Sequence, residues 1–230
     1  KIIKMNYPLS TENPLINFAK IEGKKPHWAI ALLLSFGFLF IGSFLGEVIE
    51  HFIFTKNTLK NVALPWKNTI SLESQLILYF LPIILMVFLW MYFYEKRPFS
   101  HLGFQGSKAF SMYSKGVLIG LLMFGTVVGI LAALHFVDWE HGNPLLQGQQ
   151  MLLPTMVLLL GYIIQGATEE IVCRGWLMPI LSARYNLWVG VLVSSSLFGL
   201  LHGFNEGVTV FAVVNIVLVG ILFSLIALKQ

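Results

Sequence analysis

The run Met151–Arg174, MLLPTMVLLLGYIIQGATEEIVCR, decides the fold. Residues 151–164 carry no charge, and then Glu169, Glu170 and Arg174 arrive within six positions. A charged side chain at the centre of a membrane helix costs about 2.5–3.5 kcal/mol on insertion scales. Such a cluster has to be paired, placed in a polar cavity or given chemical work. On a helix, Glu170 and Arg174 are i and i+4 and share a face, where they can form an ion pair. Glu169 lies about 100° round the helix from Glu170 and about 140° from Arg174 on the 3.6-residue period. It is the carboxylate without an obvious partner, and so the first functional candidate.

The rest of the chain fits a membrane setting. Of 230 residues, 57% are hydrophobic and 11% charged, with a mean hydropathy of +0.77, against about 25% charged in a soluble domain. Several long apolar runs predict an all-α, polytopic transmembrane bundle; a β-barrel would show short alternating segments. The single cysteine, Cys173, excludes an internal disulfide. The net charge of +4 reads as loop charge orienting the helices, with no nucleic-acid partner.

Residues 1–26 read as a polar N-terminal arm, and 27–230 as a transmembrane helical domain. Spans are predicted over about 27–54, 71–94, 113–136, from 151 through the charged cluster, 187–202 and 208–228, six in all. Pro179 predicts a break or bend after the fourth. Residues 55–70 read as a polar connection, and Trp90, Tyr92 and Tyr94 as an interfacial aromatic belt. Gly42 and Gly46 have the spacing that lets membrane helices approach closely. Glu47, Glu50 and His51 follow them, where a polar helix mouth explains the residues more simply than a metal site. With the arm cytoplasmic, 12 basic residues fall on the cytoplasmic side and three (Lys56, Lys60, Lys67) on the other. The positive-inside rule then places both termini in the cytoplasm.

Two motifs carry the chemistry: Glu169-Glu170-x-x-x-Arg174-Gly175 and, some 30 residues on, Phe198-x-x-x-His202. Hydrolysis needs a water activated by a carboxylate or an imidazole. Glu170, paired with Arg174, should remain ionised. Glu169 is then the better base, with His202 as its partner. Gly199 and Gly203 flank His202 at a spacing that allows tight packing. Singly, His202 reads as an interfacial histidine, the acidic cluster as a structural ion-pair network, and Phe198 and Cys173 as core. Together they favour function, because ionisable groups inside a membrane usually have one.

The ordered pair of motifs resembles the CPBP family (CAAX protease and bacteriocin-processing enzymes, also called Abi). The flanks RGWLMPIL, SSSLFGLLHG and NIVLVGILFSLIAL are similar too, so the resemblance covers about residues 152–228. It implies an intramembrane endopeptidase of a bacterial cell membrane, open to the cytoplasmic face, acting on peptides or membrane-anchored proteins within the lipid bilayer. It implies Glu169 as the water-activating carboxylate, His202 as its partner, and Glu170 with Arg174 in support. The mechanism implied is either metal-free or one using a divalent metal such as zinc at Glu169 and His202. Cys173 departs from the family's usual bulky apolar residue. The family's later H-x-x-x-N motif, expected to stabilise the oxyanion, has no match: Phe211-x-x-x-Asn215 has the spacing, but Phe cannot donate. One more span beyond Gln230, carrying His and Asn four apart, is therefore expected. Two other readings stand beside the peptidase. One is a non-catalytic immunity or scaffold protein of the same family; the other is a proton-coupled transporter, disfavoured by the lack of inverted repeats.

Overall fold

The computed structural model describes residue 9 and residues 13–21, 26–54, 58–103, 109–137 and 144–229. Among these the fold is all-helical: α1 (Pro14–Ile21), α2 (Trp28–Ile53), α3 (Leu64–Trp90), α4 (Ala109–Ala133), α5 (Leu152–Glu170), α6 (Met178–Arg184), α7 (Leu187–His202) and α8 (Val210–Lys229). A π-helical turn, Met91–Glu95, prolongs α3, and a second, Ile171–Leu177, joins α5 to α6. Among the described residues five helices are long and apolar enough to cross a membrane: α2, α3 with its π-turn, α4, the joined helix Gly148–Arg184, and α8. α7 is apolar but has 16 residues, about 24 Å against a hydrocarbon core of about 30 Å. The chain is an integral membrane helical bundle.

Two boundaries differ from the sequence reading. α3 begins at Leu64, because Pro65 occupies its first turn, where a missing N–H is no loss. Residues 64–70 are therefore helix and not connection. Of the break or bend expected at Pro179, the break does not occur: the helix continues from Gly148 to Arg184. Pro179 lies in the first turn of α6, directly after the π-turn, where Met178 N–H bonds back to Cys173 O across the widened ring.

Small residues set the helix spacings. A Cβ on Gly46 would run into the Leu78 carbonyl, and one on Gly42 would meet Ile83, so α2 lies close on α3. Gly161 brings α5 against Glu73 and Leu76 of α3, and Gly199 brings α7 against Val213 and Val217 of α8. The main core joins Phe38, Val87 and Met91 to the π-turn residues Ile171–Leu177 and to Leu197 and Phe198. The Phe38 ring meets Trp176 edge-on at 5.3 Å. By contrast, none of α4's apolar window is buried.

The described part of the N-terminal arm packs on this bundle. Ile16 of α1 is buried with Met178, Leu187, Val191 and Leu228. Asn13 Nδ2 donates to the Leu228 carbonyl at 2.6 Å, and Phe18 stacks on His101 at 4.3 Å.

Candidate active site

The last turn of α5 and the π-turn after it carry the charged cluster. Arg174 Nη1 donates to Glu170 Oε1 at 2.9 Å, the i,i+4 pair expected from spacing. Nη2 donates to the main-chain carbonyl of Gly220 on α8 at 3.2 Å. The guanidinium also lies over the Phe198 ring, 4.3 Å from its centroid, a cation–π contact between α7 and the π-turn. The Arg174 side chain is 3% exposed and that of Glu170 45%. A buried cation is thus held by a half-exposed anion, a carbonyl dipole and an aromatic face.

Glu169 is held differently. Gln165 Nε2, one turn earlier, donates to its Oε1 at 3.2 Å. His202 and Arg174 both lie within electrostatic range of this carboxylate. The two adjacent acids therefore have different hydrogen-bond partners: an arginine for Glu170, a neutral amide for Glu169.

His202 is the last residue of α7, a helix opened by the Asn186 side chain accepting from Val189 N–H at 3.0 Å. Its Nδ1 bonds to the Phe198 carbonyl at 2.8 Å. A carbonyl can only accept, so Nδ1 carries the proton, and in the neutral ring Nε2 is left as an acceptor. Phe198 has two contacts in the site: its carbonyl fixes His202 and its ring underlies Arg174.

Among the described residues the donor set at Glu169 and His202 falls short of a catalytic zinc site. Glu169 and His202 supply two ligands, one short of the three protein ligands usual at a catalytic zinc. Among the described residues no three His, Cys, Asp or Glu side chains converge on a metal position. Glu50 accepts instead from Ser74 Oγ at 3.2 Å and Tyr79 Oη at 2.8 Å, tying α2 to α3, while Glu47 and His51 are exposed. Cys173 is buried and free. Phe211 and Asn215 are both exposed on α8.

One polar constellation escaped the sequence reading. Glu95 and Arg97, just beyond the span predicted over about 71–94, are buried and bonded at 2.9 Å. Glu95 Oε1 also accepts from Trp90 Nε1 at 3.0 Å and from Trp176 Nε1 at 2.8 Å. Trp90 thus turns inward from the expected belt, whereas Tyr92 and Tyr94 are exposed. The bond to Trp176 links the two π-turns, one of which carries Arg174. A Trp–x4–Glu–x–Arg pattern at the end of an apolar run was the only signal available.

Residues 151–230, about a third of the chain, match the family model described as "Type II CAAX prenyl endopeptidase Rce1-like". The matched part contains Glu169, Glu170, Arg174 and His202, and the match fits the CAAX-protease resemblance of the motifs. No curated protein and no solved structure matches the chain. Family and bundle together support a protease embedded in the membrane.

Proposed function

We propose that this protein is an intramembrane endopeptidase in which Glu169 activates a water and His202 assists it. Glu169 takes a proton from the water as its oxygen attacks the peptide carbonyl carbon, then passes that proton to the departing amine. His202, its Nδ1 committed to the Phe198 carbonyl, offers Nε2 as a second acceptor orienting the same water. Glu170 and Arg174 hold the two helices in register. The substrates are membrane-anchored or prenylated proteins and peptides, reached from the cytoplasmic face, and the type II CAAX prenyl endopeptidase match supports that class.

The observation carrying this reading is the division of labour between adjacent acids. Glu170 is bonded to Arg174, while among the described residues Glu169 has an amide donor and an imidazole within range. The test is cleavage of a fluorescence-quenched farnesylated C-a-a-X peptide by purified protein in detergent. Glu169→Gln keeps shape and removes the base, so turnover is expected to fall at least a hundredfold with the unfolding midpoint unchanged. Near-normal turnover would remove Glu169 as base. If the variant loses abundance and activity together, the scaffold reading gains.

A further inference from the structure

α8 meets Arg174 through the ring of Phe223, its centroid 5.8 Å from the guanidinium carbon, and through the main-chain carbonyl of Gly220. This oxygen accepts from Arg174 Nη2 at 3.2 Å and from Ser224 Oγ at 2.9 Å. A side chain at position 220 would fit only if a neighbour gave way by a few tenths of an ångström. A Cβ there would stand 3.1 Å from Ser195 Cβ, 3.2 Å from Ser195 Cα and 3.2 Å from Arg174 Nη2, inside the ordinary carbon contact of about 3.5–4.0 Å. Of these neighbours, the Ser195 atoms are fixed to the backbone of α7, and the Ser195 hydroxyl lies 3.4 Å from that of Ser224. The guanidinium is the far end of a flexible chain, so it is the group that would yield.

We infer that Gly220 is a positioning residue: by lacking a side chain and presenting its carbonyl, it fixes the guanidinium of Arg174 between Glu170 and Phe198. Phe198 bonds His202 through its own carbonyl, so the placement of Arg174 bears on both halves of the site. This explains why a helix that offers no acid or histidine to the site (Val210–Lys229 contains neither) is packed so tightly along α7. The inference rests on the peptidase reading for its catalytic consequence, but not for its structural one.

The experiment is a double-mutant cycle on the full chain in detergent, with Gly220→Ala, Arg174→Lys and the double variant. Thermal unfolding and cleavage of the farnesylated C-a-a-X peptide are both measured. Gly220→Ala is expected to lower kcat about tenfold, the size of a lost charged hydrogen bond, with KM changed less than about twofold. In the Arg174→Lys background the same substitution should change kcat by less than about twofold, since coupled sites are not additive. Losses that multiply independently, or a raised KM with kcat intact, would overturn the assignment. Should Arg174→Lys not fold, Arg174→Gln replaces it in the cycle. If the wild type cleaves nothing, the peptidase reading fails while the thermal cycle still decides: coupled midpoints support the Gly220–Arg174 link and additive ones reject it.

Discussion

Glu95 sits at 1% side-chain exposure with three donors around it, Trp90, Trp176 and Arg97. Removing one partner of a buried pair leaves an uncompensated charge, so Glu95→Ala is expected to cost about 3–5 kcal/mol in unfolding free energy. Trp176→Phe keeps most of the volume and removes only the N–H, so its loss should be about 1–3 kcal/mol. Equal effects for the two, measured by denaturation in detergent, would show that the carboxylate does not organise this cluster. At the site itself, Glu170→Ala should lower the unfolding midpoint more than Glu169→Gln does, because Glu170 is the acid bonded to the buried Arg174. These two acids were distinguishable in the sequence, since the i,i+4 rule needs only local geometry. Glu95 was not, because its partner Trp176 is 81 positions away and nothing in the local pattern points to it.

α2 shows the same limit at the scale of elements. Its length and apolar character could be read directly, and so could the Gly42–Gly46 spacing, but which glycines meet another helix is decided only by packing. Gly46 lies on the Leu78 carbonyl, while Gly37 of the same helix has nothing near its missing side chain. Gly46→Ala is therefore expected to destabilise by about 1–3 kcal/mol through overpacking. Gly37→Ala should stabilise by up to about 1 kcal/mol through helix propensity. Opposite signs in thermal unfolding check this; like signs would mean α2 and α3 are not in close contact. The π-turns were invisible for a related reason. An apolar run reads the same whether its ladder closes at i+4 or i+5, and Pro179, which suggested a break, is accommodated by the widened turn. π-turns often occur at functional sites, and one of these carries Arg174.

Across the whole molecule, the orientation in the membrane depends on whether α7 counts as a crossing. At 16 residues it is shorter than the hydrocarbon core, and without it the two ends would face opposite sides. The Asn13–Leu228 hydrogen bond joins the segment before α2 to the end of α8 at one face, which favours an even number of crossings. From the 12-to-3 basic bias we propose that this face is the cytoplasmic one. A reporter active only in the cytoplasm should therefore signal when fused after Gln230 and remain silent when inserted after Asn143. Adding positive charge beside Asn143 should weaken this discrimination, since the charge difference between the two sides sets the orientation. A cytoplasmic signal at Asn143 would invert the bundle. The helix ends carrying Glu169 and His202 would then lie away from prenylated proteins made in the cytoplasm, and the proposed substrate class would have to be abandoned even if the site still cleaved peptides in detergent.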